Sequence, residues 1–269
     1  MKTPLLAALA TLLGASSAAS STTLLVGQAP LTPDTGSVAV HCGALIDGTS
    51  DSARRDVTVT IRNGRVESLQ DGRHAAGDLP FLELGAYTCL PGLIDMHTHL
   101  TDRPIDTADL KVFYTRSREK QLTISEENAA VTLAAGFTTV RNVGTYIGWT
   151  DRDLRDAINQ GKAIGPRMQV VGYYLTIPGG GGDLVIPGIP EKDIPPGVRM
   201  GVAHDAAEFR AKAQLAIDGG ADLLKVIASG AVLAYGGVPA APEMTPEDIA
   251  GVAAVAHAAG RKLAAHAHG

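Results

Sequence analysis

"LPGLIDMHTHL", residues 90–100, is the stretch on which the reading of this chain turns. Apolar residues lead without a break into two histidines separated by one residue. Side chains at i and i+2 of a β-strand share a face. An extended segment 93–99 therefore projects His97 and His99 together, with Thr98 on the opposite face. Two imidazoles on one face of a buried strand need partners, because unpaired polar groups in a core are unfavourable. A metal ion is one such partner, and the remaining ligands then have to come from elsewhere in the chain.

Downstream of Pro91 strand-like and helix-like segments alternate. Strands are expected near 92–96, 138–143 (TTVRNV), 168–174 (MQVVGYY), 222–228 (DLLKVIA) and 262–266 (KLAAH). Helices fit between them at about 118–135, 153–160, 205–218 and 246–259, the last opening with Thr245 as N-cap and Pro246 at the first helical position. Gly136, Gly161, Gly219 and Gly260 read as helix C-terminal stops. Near-continuous apolar strands in β/α steps indicate a parallel sheet. The fold class is α/β, and residues 90–269 read as the first five β/α units of a (β/α)8 TIM-type barrel, which when closed has eight. An open five-stranded sheet is the other reading of the same pattern.

Upstream, residues 38–89 carry short strands and turns, with Val57–Ile61, Asn63-Gly64 and Val66–Leu69 giving a hairpin signal. This segment is expected to be a small antiparallel β-sandwich module. Residues 20–37 form a loosely patterned lead-in. Residues 1–19 read as a secretory signal: Lys2 precedes the short apolar run LLAALATLL, and small residues follow in GASSAAS. That run is too short to span a bilayer. An exported protein, periplasmic or secreted and free of the membrane after cleavage, is expected.

The net charge of −5 over 269 residues, without a basic stripe, argues against a nucleic-acid partner. With only Cys42 and Cys89, a cysteine-rich zinc site is excluded. An oxidising compartment would permit their pairing, and two buried free thiols remain the other option.

The chemistry concentrates at strand ends. His97 and His99 close the first barrel-type strand, where such folds place active sites; His266 and His268 close the fifth. Lys225 stands in DLLKVIASG on the fourth strand, where burial disfavours an ammonium ion and lowers its pKa. Three resolutions stay open for it: a carbamate formed with carbon dioxide that bridges metals, a Schiff-base amine, or a salt-bridged structural lysine. His41, His74, His204 and His257 lie on the β module, turns or helices and read as surface or structural. The Gly- and Pro-rich loop 175–201 is either a substrate lid or an ordinary surface loop. Its GGGGD is no phosphate cradle, since no Lys-Ser/Thr pair follows. The S-x-x-K at Ser117–Lys120 lacks companion motifs and reads as chance.

LPGLIDMHTHL, GADLLKVIASG and GRKLAAHAHG together resemble the amidohydrolase superfamily, and most its exported, prolidase-like branch of Xaa-Pro and Xaa-Arg dipeptidases and ochratoxin-degrading amidases. The resemblance implies a binuclear zinc site held by His97, His99, a carboxylated Lys225 and His266. It further implies hydrolysis of a small-molecule amide or dipeptide, or an N-acyl amino acid, by metal-activated hydroxide. A cyclic amidohydrolase of imidazolonepropionase type and a non-catalytic metal-binding fragment are the alternatives. The family's sixth-strand histidine and its general-base aspartate are expected beyond residue 269. Tyr235 and His268 are candidate substrate-binding residues, and the family admits a homo-oligomer. Two positions depart from the pattern: Asn142 stands where relatives commonly show Asp, and Gly181 where many carry His.

Overall fold

The computed structural model describes residues 36–232, 234–235 and 238–268. The expected signal sequence, and the lead-in up to residue 35, lie outside the described residues. The chain divides into two compact units, one ending at Pro91 and one beginning at Gly92.

The first unit is one four-stranded sheet in the order β3-β2-β1-β4. Its strands are β1 (Val38–Leu45), β2 (Arg54–Arg62), β3 (Arg65–Asp71) and β4 (Phe81–Cys89). Asn63 and Gly64 both take positive φ, 51° and 70°, in the two-residue turn joining β2 to β3. This is the turn whose twist matches a hairpin. Two expectations are corrected. Among the described residues there is a single sheet, not a sandwich, and it is mixed: β1–β2 and β2–β3 are antiparallel, while β1–β4 is parallel. After β3 the chain crosses to the far edge of the sheet and joins β1, whereas a purely antiparallel reading assumes that it extends the meander. Cys42 and Cys89 form a disulfide between β1 and β4, so the free-thiol option falls. Cys42, Leu45, Val57 and Val59 make the small core beneath it.

The second unit runs β5 (Leu93–Thr98), α1 (Arg118–Ala134), β6 (Phe137–Asn142), α2 (Thr150–Asn159), β7 (Arg167–Gln169), α3 (Ala206–Asp218), β8 (Leu223–Ile227), α4 (Pro246–Ala258) and β9 (Lys262–His266). β5, β6 and β7 pair in parallel, as do β8 and β9. The two groups join where Leu175 donates to the Lys225 carbonyl and Ile227 donates to the Leu175 carbonyl. The five strands thus follow one another in sequence order. Among the described residues β9 and β5 do not pair, so the sheet is open. Leu93, Ile94 and Met96 of β5 are exposed.

The third strand is shorter than its apolar run suggests. Gly172 takes φ 82°, and the N–H groups of Val171 and Gly172 donate to buried Asp151, each at 3.1 Å, instead of to a neighbouring strand. A Cβ at Gly172 would run into the Trp149 ring. Helix starts follow their caps. Ser117 accepts from the Lys120 N–H at the head of α1, which gives the S-x-x-K a structural role. Thr245 and Asp248 form a reciprocal capping box on α4. At the end of α3 it is Gly220, φ 93°, and not Gly219 that turns left-handed.

The main core lies between α3, β8 and α4, where Phe209, Ala213, Leu224, Val226, Val252 and Ala256 are buried. A second cluster of Leu184, Ile186, Ile194 and Val198 packs loop 175–201 against Leu110 and Phe113. Asp183, whose side chain is fully buried, accepts two hydrogen bonds from Arg199 at 2.8 Å. The loop is therefore part of the core, neither a loose lid nor an ordinary surface excursion.

Candidate metal centre

Each sequence-singled side chain is placed by its strand. His97 lies on β5 and His99 just beyond it, their rings 5.4 Å apart edge to face. Lys225 is the middle residue of β8, and His266 closes β9 in register with Ile227. His268 follows, its N–H donating to Ser229 Oγ at 2.7 Å. His97, His99, Lys225, His266 and His268 all line one cavity of about 540 Å³. Tyr235 is 43% exposed and is not among the lining residues. Gly181, Asp102, Arg103, Tyr146 and Tyr174 are.

The electrostatics favour neutral imidazoles and weaken the charge on the lysine. Burial first, and then the fields of Lys225 and other cations, lower the affinity of His97 and His266 for protons. Burial pulls His99 down to about 4. Lys225 is only 3% exposed, and burial and the nearby Arg141 depress its amine to about 8. A neutral amine at that depth is the nucleophilic form that reacts with carbon dioxide or a carbonyl.

Two observations test whether these residues fit a metal. The Nε2 atom of His266 is buried and has no hydrogen-bond partner, which is unusual for a buried polar atom. His99 Nδ1 lies 3.2 Å from the Gly144 carbonyl and 3.1 Å from the Tyr174 hydroxyl. A carbonyl only accepts, so this contact favours the proton on Nδ1 and a free lone pair on Nε2, the arrangement of metal-ligating histidines whose other nitrogen is held by a backbone carbonyl. Among the described residues, no three His, Cys, Asp or Glu side chains gather into a ligand set by themselves. The donors considered are the imidazoles of His97, His99 and His266 and the amine of Lys225, all lining the cavity, and an unmodified amine is not a carboxylate. With Lys225 carrying a carbamate the donors are nitrogen and oxygen, which suit zinc and similar divalent ions. The residues fit such a group.

Several cavity residues escaped the sequence reading. Asp102 accepts from Gln121 Nε2 at 3.1 Å, and burial together with neighbouring Asp106 pushes its carboxyl up to about 7. Its only signal was its place three residues after His99. Tyr146 and Tyr174 stack edge to face, with centroids 5.4 Å apart, and Phe113 lies 5.0 Å from Tyr146. These rings give the cavity an aromatic wall. Nothing in the local pattern of either tyrosine announced it.

Known proteins share this architecture. A solved Xaa-Pro dipeptidase with bound methionine in its active site superposes with a TM-score of 0.77 at 33% identity, over 87% of this chain and 57% of that one. The Aspergillus niger ochratoxinase structure superposes with a TM-score of 0.71 at 22% identity over 88% of this chain and 56% of its own, a likeness of fold. In sequence, A. niger ochratoxinase is 27% identical over 155 residues, covering 51% of this chain and 30% of that protein. The chain thus spans little more than half the length of these solved structures. Residues 88–269, well over half of the chain, match the amidohydrolase family. With that match over the β/α frame, the chain belongs to the amidohydrolase family.

Proposed function

We propose that this chain carries the metal-binding part of a hydrolase acting on dipeptides or N-acyl amino acids with a free carboxylate. His97, His99, Lys225 as its carbamate and His266 would hold two divalent ions, zinc by donor type. When bound, such ions lower the pKa of water and polarise an amide carbonyl. The observation that carries this reading is the orphaned Nε2 of His266 in the same cavity as a buried, depressed Lys225. A polar atom left unpaired in a folded core calls for an explanation, and a missing ligand supplies one.

The chain's own residues have definable tasks. The Gly144 carbonyl holds His99 so that one nitrogen faces a ligand with its lone pair. Leu110, Phe113, Tyr146 and Tyr174 offer an apolar surface for a substrate side chain and exclude water from it. His268, tethered through Ser229, is placed to meet a polar substrate group. The disulfide between Cys42 and Cys89 and the signal-like residues 1–19 support export to an oxidising compartment. N-terminal sequencing of protein recovered outside the cytoplasm tests that part, and an intact Met1 there would count against it.

The deciding experiment loads the metal-free protein with zinc in bicarbonate buffer and measures bound metal together with dipeptide hydrolysis. About two ions per chain, removable by chelator, are expected, and hydrolysis by the metal-loaded chain itself is not required by this reading. Borohydride trapping of a carbonyl compound on Lys225, with indifference to chelators, would instead establish Schiff-base chemistry.

A further inference from the structure

We infer that Asn142 is a positioning residue that sets which ring nitrogen of His99 carries the proton, acting through the carbonyl of Gly144. The inference rests on the metal-binding reading for its purpose, but its geometry stands independently. Asn142 ends β6 and is fully buried. Its Oδ1 accepts the Leu100 N–H at 2.7 Å, and its Nδ2 donates to the Gly144 carbonyl at 3.0 Å. One side chain thus clamps the residue that follows His99 and the carbonyl that His99 Nδ1 meets at 3.2 Å.

Two groups meet His99 Nδ1, and they favour opposite tautomers whenever the Tyr174 hydroxyl acts as donor. The Gly144 carbonyl can only accept, so it demands a proton on Nδ1. The Tyr174 hydroxyl, 3.1 Å away, can accept or donate; as a donor it would move the proton to Nε2 and block the lone pair. Tyr174 packs closely against this backbone. Its ring lies on Gly144, where a Cβ would stand 1.8 Å from Cε1. The balance therefore depends on the carbonyl staying in place. A carbonyl oxygen has two lone pairs and can accept from Asn142 and His99 together, so the clamp does not remove the acceptor that His99 needs.

An aspartate at this position would keep the acceptor for Leu100 but, ionised, would have no donor for Gly144. It would also bring a second buried carboxyl near Asp151, whose charge is already disfavoured by burial and is eased in part by Asn142. The amide is the side chain that serves both neighbours at once.

The test uses the full chain, metal-free and labelled with ¹⁵N-histidine, at about pH 8, above the ordinary histidine range. Long-range ¹H–¹⁵N correlations report each tautomer, with His99→Gln identifying the His99 signals. Wild type is expected to show Nδ1–H at His99. Asn142→Asp is expected to shift the population toward Nε2–H and to weaken zinc binding about 10- to 100-fold, as outer-sphere partners of ligating histidines commonly do. Tyr174→Phe is expected to leave Nδ1–H unchanged, and the double variant to regain it. An unchanged His99 tautomer in a folded Asn142→Asp protein would overturn the inference. So would a changed one in Tyr174→Phe, and where Asn142→Asp fails to fold, Asn142→Ala is read in its place, the same shift being expected and an unchanged tautomer overturning the inference. Failure of wild type to take up zinc, with the tautomer pattern intact, would count against the metal reading alone.

Discussion

His41 and His266 both stand on β-strands, and they differ in what surrounds their nitrogens. His41, on β1, has Nδ1 2.5 Å from Glu83 and Nε2 2.6 Å from Asp56. Both ring nitrogens face carboxylates, which favours the doubly protonated ring, and the Asp56 and Glu83 hydrogen bonds raise its pKa above 6.5. His266, on β9, has a buried Nε2 with no partner, and burial lowers its affinity for protons. One histidine completes its own environment and braces a sheet. The other is left wanting a ligand. On the proposed reading, the contrast is that between a histidine that braces a sheet and one left open for a ligand.

Lys225 is where the contrast should break most sharply. Lys225→Met removes a buried amine and keeps an apolar stem on β8, so zinc uptake should fall by more than the ~10- to 100-fold typical of outer-sphere changes. The thermal midpoint should stay level or rise, because an amine whose charge is disfavoured by burial is lost. Calorimetric zinc titration beside a melting curve checks both. A variant that melts early while still binding zinc would make Lys225 structural, like His41. Cutting the brace of the first unit comes next. Cys42→Ser with Cys89→Ser should destabilise that unit by about 2–4 kcal/mol, seen in denaturant titration of the intact chain. Metal uptake by the second unit at low denaturant should be unaffected.

Smaller is the loss of the α4 cap. Thr245→Ala should lower stability by about 1 kcal/mol, measured by urea unfolding, with zinc affinity unchanged. The smallest effect is a pH slope. Because the folded pKa of His41 is raised, its stabilising contribution is fully present below 6.5 and fades as pH climbs through the raised value. Glu83, which Arg73 and then His41 hold down to about 2, contributes above 4.5 and loses its effect as pH falls toward about 2. The first unit should therefore be steadiest between about 4.5 and 6.5. His41→Gln should flatten the alkaline side of a melting-temperature profile, and an unchanged slope would deny the brace.

The β/α frame was legible because buried parallel strands are written as apolar runs, and helix heads as caps: DLLKVIA and TPED left little choice. The cavity's basic residues were legible for the opposite reason, as polar residues in places that should be apolar. What escaped depended on contacts distant in sequence. The interruption after Gln169 comes from Asp151 taking two N–H groups that a strand would use. The parallel pairing of β4 with β1, and the disulfide that goes with it, follow from a crossover that no local pattern encodes. Tyr174 comes from the segment after β7 and Asn142 from the end of β6, so their proximity to the His99 segment exists only once the sheet has formed.

The packed loop between Leu175 and Gly201 has a kinetic consequence. Moving it aside would expose Leu184, Ile186, Ile194 and Val198 to water and separate buried Asp183 from Arg199. Such an event is a local unfolding and not a hinge motion. Ligands should therefore reach the cavity without waiting for this loop, and rapid-mixing traces should show a single phase whose rate grows in proportion to ligand concentration.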